Sequence, residues 1–552
     1  MTDERRIVIV GGSAAGLKCA CRLKRRRPSW EVTVVEKRKV FSYGACGLPY
    51  VLSGDIDSLA ELRETTYGVE RDESFFEDVK GVTVLSEREA VDADLAERTL
   101  TVVGPDGSEE LKWDELVLAT GAHARMLPGV SPSDMVRTFH TWDDVAPLKQ
   151  ALARGELEHV AVIGAGPVGC ELAEAFVSLW GAEVTLIEAG PNPLPNLLDQ
   201  EAGAIVQHAM ESKDVTVLCG HGVERITETD EGVEILVGKH TVSADAAIVA
   251  IGVTPSVDLA AKMGLHLGDR GGIVVNDQLA TSEKHVWAAG DCIEVQHIVS
   301  GGRLHLPLGS LANRQGRTLA DAIVDGSGHF GPVAGAFAVK VFDVNVATVG
   351  CTVSQARGLG RPVAVTWTTG HSEAHYWPEA SRIHLQLVFD EVTRELLGVQ
   401  AVGAGEVAKR VDVATQVLLR LGTIDDLAEV EHAYAPPYAP AMDPIVVAAH
   451  VAGNLLDGLA CESPLTPLES RTVIDVRTAE EREAHPLSAG DVVEIDLETL
   501  SSRTATLPPG PLLVACAYGT RSSEAARALG DCGIEATYLA GGVGWLVDAG
   551  RL

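Results

Sequence analysis

Ten cysteines are scattered through the 552 residues, and two stand in surroundings that suit sulfur chemistry. Cys46 lies in FSYGACGLPY, Phe41 to Tyr50. Gly44, Gly47 and Pro49 predict a tight strand-to-helix turn, where backbone N–H groups or a helix N-terminus lower a thiol pKa and hold a thiolate. Free cysteine is also among the most buried residue types, so the turn alone leaves an inert, packed sulfur open. Cys516 begins CAYGTRS after the strand-like run Leu512 to Ala515, with a helix expected from near Ser523. Gly519 and Arg521 would surround its sulfur with N–H groups and a guanidinium, a cradle for a thiolate or persulfide anion. No cysteine has CxxC spacing or a paired Cys/His array, so no zinc site or disulfide framework is indicated, no metal is expected, and a reducing cytosol is. Cys19, Cys21, Cys170, Cys219, Cys292, Cys351, Cys461 and Cys532 read as structural, with Cys461, in a presumed linker, the one to examine for shuttling.

The elements upstream of Cys46 are those of a nucleotide-binding unit. The apolar run Ile7 to Val10 leads into GGSAAG, where Gly11 and Gly16 take the first and third places of a dinucleotide fingerprint, Gly12 follows the first, and Ser13 replaces the middle glycine. A second strand, Glu31 to Val35, ends at Glu36 and Lys37, about 20 residues on, where a carboxylate binds ribose hydroxyls. A second fingerprint, VAVIGAGPVGCELAEAF, has all three glycines, Gly164, Gly166 and Gly169, followed by Glu171 and, after the strand Glu183 to Ile187, by the acid Glu188. No Arg or Lys occurs in the following AGPNPLPN, which disfavours a 2′-phosphate and predicts NADH over NADPH. Two fingerprints imply two nucleotides, FAD and a nicotinamide donor. Strand ends at Thr120 and Gly121, at Gly252 in IVAIGVTP, and at Gly290 and Asp291 in AAGD are expected as further contacts to these cofactors, with a helix N-cap the alternative for Asp291. PLGSLANRQGR, with Leu308 and Ala312, supplies a helix start whose dipole suits the flavin pyrimidine.

Composition sets the outer bounds. The length suggests roughly three or four domains. A formal charge of −33 argues against nucleic acid. Against that background, Arg22, Lys24, Arg25, Arg26 and Arg27 form a basic run, read either as a solvated helix end or as a contact for a phosphate-bearing substrate. MTDERR passes directly into a strand and no apolar run reaches ~18 residues, so a cytoplasmic protein without a membrane span is expected.

The two fingerprints, the ATG strand end, AAGD and PLGSLANRQGR together resemble the flavoprotein disulfide reductases, and ACGLPY with its single cysteine resembles their coenzyme A disulfide and persulfide reductase branch. Relatives with an internal dithiol carry CxxxxC; here Phe41 and Val51 flank Cys46 at that spacing. The resemblance implies an α/β protein with two Rossmann-like domains, for FAD (1–150 and 280–330) and NAD(P)H (151–279), and an α+β dimerisation domain (331–450) of strands and helices in alternation. It implies a homodimer, and a mixed disulfide, persulfide or sulfenic acid at Cys46. AHYWPEA places Tyr376 at the branch's active-site tyrosine, although Trp377 stands where a second Tyr is usual, and YAPPYAPAMDP places Tyr434 at a tyrosine contributed by the partner subunit; packing in a dimer interface is the alternative for both. Arg22 and Ser42 fall where the family contacts coenzyme A phosphates. After a linker at 451–470, residues 471–552 resemble an α/β rhodanese domain through CAYGTRS and LAGGVGWL, with Ala517 in place of a common basic residue and a degenerate EREAHPLSAG segment.

The expected activity is NADH-dependent reduction of a disulfide, persulfide or polysulfide, of coenzyme A or a similar small molecule, with Cys516 carrying sulfane sulfur. An NADH oxidase or peroxidase cycling through sulfenic acid at Cys46 competes, although the first glycine loop lacks the histidine common in peroxidases. A non-enzymatic flavin redox sensor is the alternative from another class.

Overall fold

The computed structural model describes residues 4–552. A first five-stranded sheet is parallel throughout, in the order Val286–Ala288, Glu115–Leu118, Arg6–Val10, Glu31–Val35, Thr83–Leu85. Its central strand is apolar after Arg6 and buried on both faces, as a parallel strand covered by helices must be. That strand turns at Gly11 into α1 (Ala14–Arg26), which buries Leu17, Cys19, Ala20 and Leu23 and ends in Lys24, Arg25 and Arg26. The Cys46 stretch follows, leading into the short helix α2 (Leu48–Ser53).

A second parallel sheet has the order Val215–Cys219, Glu183–Glu188, His159–Ile163, Ala246–Val249, Val136–Thr138, with α3 (Pro167–Ser178) after its own glycine turn. The division expected at residue 150 therefore shifts: Val136–Thr138 is hydrogen-bonded to Ala246–Val249, and Val145, Leu148 and Leu152 pack in the second core. On the return, Leu259, Leu265 and Ile273 already belong to the first core. The long helix α4 (Gly309–Asp325) then crosses α1 so closely that a Cβ on Gly316 would lie 2.3 Å from the Ala15 carbonyl oxygen.

The third sheet is antiparallel, in the order Phe337–Val341, Val344–Gly350, Leu396–Gly403, Arg382–Asp390, Val363–His371. Its helices Ala408–Leu418 and Pro444–Leu456 follow the last strand, so strands and helices are largely segregated where alternation was expected. The fourth sheet is parallel, in the order Cys461–Glu462, Ala536–Leu539, Leu512–Ala515, Thr472–Asp475, Asp491–Glu494, with α5 (Thr520–Asp531) and α6 (Gly542–Asp548). The stretch 451–470 is consequently not a free connection: its first residues complete Pro444–Leu456, and Cys461–Glu462 pairs with Tyr538 and Leu539. The mixed α/β architecture is the one expected.

Candidate functional site

The Cys46 stretch is stitched to both glycine turns. Near its start, the Ser42 N–H donates to the Gly12 carbonyl at 3.1 Å, with Ser42 itself at φ +57°. Near its end, the Tyr50 hydroxyl lies 3.4 Å from Glu171 Oε1 on α3, and between them the Tyr43 hydroxyl accepts from the Trp142 N–H at 3.3 Å. Cys46 sits in the 3₁₀ turn Ala45–Gly47 directly before α2, exposed to solvent. A Cβ on Gly47 would lie 2.3 Å from Leu62 Cδ2, so a side chain there would have to displace the tip of Leu62. Phe41 and Val51, at the dithiol spacing, are core residues. The expectation of a lowered thiol pKa is reversed. Partial desolvation pushes the Cys46 thiol up, and the carboxylates of Glu171 and Asp291 add to it. Burial likewise holds Glu171 up to about 7, opposed by its Tyr50 hydrogen bond, and raises Asp291 against His305 and His140.

The two glycine turns repeat one geometry. Gly11 (φ +117°) and Gly164 (φ +102°) adopt a backbone closed to L side chains, and Cβ atoms on Gly16 and Gly169 would sit 2.0 and 1.9 Å from the Gly11 and Gly164 carbonyls. Glu36 accepts from the Gly12 N–H at 2.8 Å, and Glu188 accepts from the Ala165 N–H at 2.8 Å. Ser13 and Gly166 stand at the N-caps of α1 and α3 with no side-chain cap bond and no acid in the first turn, leaving those N–H groups for a phosphate. Around Gly166, Gly121 and Gly252 an added Cβ meets nothing within 4 Å. Thr120 Oγ1 donates to the Ser256 carbonyl at 2.6 Å, and Lys37 is exposed. Leu308 stands at the uncapped N-cap of α4, Ala312 is buried in its first turns, and Gln315 of the same helix accepts from the Gly290 N–H at 2.7 Å, next to Asp291.

Tyr376 and Tyr434 come together on loops of the third unit. Both are exposed, and a hydrogen bond to Tyr434 pushes the Tyr376 phenol up. The loops are clamped from below: Ala374 N–H donates to the Pro436 carbonyl at 3.0 Å, and the wholly buried Arg410 bonds the Ser372 carbonyl at 2.6 Å and the Asp443 carboxylate at 3.2 Å. Arg22 lies elsewhere, its Nε 2.9 Å from Asp321 Oδ1 on α4. Arg26 bonds Asp321 and Asp325, both at 2.6 Å, so much of the basic run is matched by the chain's own acids.

Cys516 is fully buried. The Gly519 N–H points at its sulfur at 3.1 Å, and the Ser522 hydroxyl lies at 3.4 Å. Gly519 reaches this position at φ +94°, and α5 begins just after it, at Thr520. Arg521 is within electrostatic reach of the sulfur, but its Nη2 bonds both Glu481 oxygens, at 2.6 and 2.7 Å. From the other side the GGVGW segment grips the loop: the Val543 and Gly544 N–H groups donate to the Cys516 and Ala517 carbonyls at 2.8 and 2.9 Å. Cys461 does not join this site. Burial, opposed by a Tyr538 hydrogen bond, raises its thiol to about 11, and its role is in the sheet edge.

The family model "Pyridine nucleotide-disulphide oxidoreductase" matches residues 5–316, and the dimerisation-domain model of the same family matches 336–444. The chain belongs to this family. Among similar proteins, an NAD(P)H sulfur oxidoreductase (CoA-dependent) of Pyrococcus abyssi is 32% identical over 81% of this oxidoreductase and 98% of the relative. A solved NAD-dependent persulfide reductase from A. fulgidus is 36% identical with a TM-score of 0.94, over 98% of this chain and 99% of the other. The reduced CoADR-RHD of Bacillus anthracis is 30% identical with a TM-score of 0.89, over 99% and 98%.

The oxidoreductase is an enzyme that uses FAD and NAD(P)H, and its residues fit both nucleotides: two open helix starts, an acid bonded to each glycine turn and uncrowded glycines at the strand ends. Among the described residues no group of His, Cys, Asp and Glu is arranged to hold a metal, and no helix is long and apolar enough to cross a membrane. Several partners escaped the sequence reading. Ser522 lay in view inside CAYGTRS. Glu481, Arg410 and Tyr50 carry no local signal, because their partners stand 40, 33 and 121 residues away.

Proposed function

We propose that this chain is a cytoplasmic, homodimeric NADH-dependent reductase of disulfides, persulfides or polysulfides, of coenzyme A or a similar thiol, working through the single redox cysteine Cys46. The carrying observation is the double tether of the Cys46 stretch, Ser42 to the first glycine turn and Tyr50 to Glu171 beside the second. It brings an exposed thiol to where the two nucleotide units meet. FAD held at the first glycine turn, by Gly11, Gly12 and Glu36, would supply two-electron transfer from NADH to sulfur. The Cys46 thiolate attacks an S–S bond, forming a mixed disulfide or persulfide and releasing one thiolate; two electrons then regenerate the thiolate and release the second thiol or sulfide. Tyr376 and Tyr434, reaching the site of a partner subunit, supply a proton to the leaving sulfur. Glu188, with no base in the residues after it, favours NADH. Ten free thiols suit a reducing compartment.

Residues 461–552 act as a rhodanese-like unit that carries sulfane sulfur on Cys516. The Gly519 N–H aimed at that sulfur supports this role, as does the full-length match to a persulfide reductase. The test is NADH turnover with CoA disulfide, glutathione persulfide, peroxide and oxygen in parallel. Turnover confined to peroxide or oxygen would replace this reading with the oxidase one, and slow turnover with every acceptor, alongside a stable reduced complex, with the sensor one.

A further inference from the structure

Helix α6 is held on two sides. Towards the Cys516 loop it donates its Val543 and Gly544 N–H groups to the Cys516 and Ala517 carbonyls, and Gly542, at φ +67°, lies so close that a Cβ would meet the Cys516 carbonyl oxygen at 2.6 Å. Towards the antiparallel sheet, Thr369 Oγ1 donates to the Gly541 carbonyl at 2.6 Å and lies 2.9 Å from His384 Nδ1. His384 Nε2 is 2.8 Å from Asp548 Oδ2, and Arg382 Nη1 is 2.9 Å from Asp548 Oδ1. Thr369 and His384 face each other across adjacent strands, both buried, and the Trp545 ring of α6 lies 4.7 Å from the imidazole. Thr369, His384, Arg382 and Asp548 make no hydrogen bond to Cys516, and a buried polar chain of this kind is costly unless every member is satisfied.

We propose that the Thr369–His384–Asp548 chain positions the Cys516 loop for sulfur transfer: it fixes α6 to the antiparallel sheet, and α6 in turn fixes the Cys516 and Ala517 carbonyls. The Gly519 N–H is thereby kept aimed at the sulfur. This rests on the reading that Cys516 carries sulfane sulfur. The step it serves is attack of the Cys516 thiolate on the outer sulfur of a persulfide: the new Cys516–S bond forms, the donor's S–S bond breaks, the donor leaves as a thiolate, and the proton stays on the transferred sulfur, with no net oxidation. The three residues are positioning residues, so displacement of the loop slows the step without weakening donor binding.

The experiment loads the FAD-containing full chain with glutathione persulfide and follows Cys516 persulfide by alkylation and mass spectrometry. Thr369→Val is expected to slow loading at saturating donor about tenfold, with the half-saturating concentration unchanged and Thr369→Ser restoring the rate. Amide exchange at Val543 and Gly544 rises in Thr369→Val, while NADH-dependent CoA disulfide reduction stays within about twofold. Wild-type loading in Thr369→Val, with loading lost in Cys516→Ser, overturns the positioning inference alone. Loading unaffected by Cys516→Ser overturns the sulfur-carrying reading and this inference with it. Should Thr369→Val fail to fold, Asp548→Asn decides, since unchanged loading there also overturns the inference.

Discussion

Cys46 and Cys516 are built by opposite means. Cys46 is exposed on a one-turn helix, beside two carboxylates that oppose its ionisation. Cys516 is sealed from solvent, receives the Gly519 N–H and donates its own thiol hydrogen to the Ser522 hydroxyl oxygen. The first gives access and shared ground between two nucleotide units; the second gives a preorganised N–H donor and no access without movement. A sulfur that must meet a bulky disulfide and an electron donor needs the former, and one that must store an anionic persulfide needs the latter. On the proposed reading, the difference teaches that the chain separates the redox step from the holding of sulfur, and that a one-site explanation of that chemistry is too small.

The comparison breaks first at Cys46. Cys46→Ser is expected to lower NADH-dependent reduction of both CoA disulfide and glutathione persulfide by about 10³-fold or more, because no second cysteine replaces the attacking sulfur. Steady-state NADH oxidation measures it, and retained turnover with either acceptor removes Cys46 from the mechanism. Cys516→Ser is expected to be selective: a loss of about tenfold with polysulfide and a clearly smaller one with CoA disulfide, which brings no sulfane sulfur to store. Equal losses with both acceptors would make the C-terminal unit a structural part of the reductase.

Much of this contrast was legible in the residues. The glycine turns announce themselves because Gly11, Gly164 and Gly519 adopt positive φ that only glycine takes without strain, and the acids Glu36 and Glu188 stand at a fixed distance along the chain. Both nucleotide units, the Cys46 turn and the Cys516 loop follow from such local signals. What was not legible depends on partners far away in sequence. Arg22 reads as a helix-end or phosphate-contact cation, and nothing nearby in sequence announces its ion pair with Asp321, 299 residues on. Cys461 reads as a linker thiol until Tyr538 pairs with it across the sheet. Even the direction of the Cys46 shift was inaccessible, since Glu171 and Asp291 arrive from two other segments, and the helix start that suggested a low pKa is only a six-residue turn.

An effect of similar size tests whether the tyrosine pair belongs to the Cys46 arm. Their mutual hydrogen bond means that neither acts alone, so Tyr376→Phe or Tyr434→Phe should each lower CoA disulfide reduction only about tenfold, and the double variant should lose less than the product of the two. Persulfide loading of Cys516 should be unchanged. A pair that belongs to packing between subunits would instead shift the dimer dissociation constant and leave turnover per dimer intact.

The smallest effect concerns the field on Cys46 itself. Glu171 titrates near 7, so raising the pH through neutrality adds a negative charge beside the thiol and pushes its ionisation further up. In wild type, alkylation of Cys46 by iodoacetamide should therefore climb with pH less steeply than an isolated thiol would. Glu171→Gln removes that charge at every pH. Its Cys46 thiolate should form at lower pH, giving about threefold faster alkylation at about pH 8, whereas well below neutrality, where Glu171 is already protonated, the two proteins should react alike. The divergence on crossing pH 7 is the diagnostic. A rate ratio that is constant with pH would mean that Glu171 acts on Cys46 through packing via Tyr50, and not through its charge, leaving desolvation and Asp291 as the terms that separate this sulfur from Cys516.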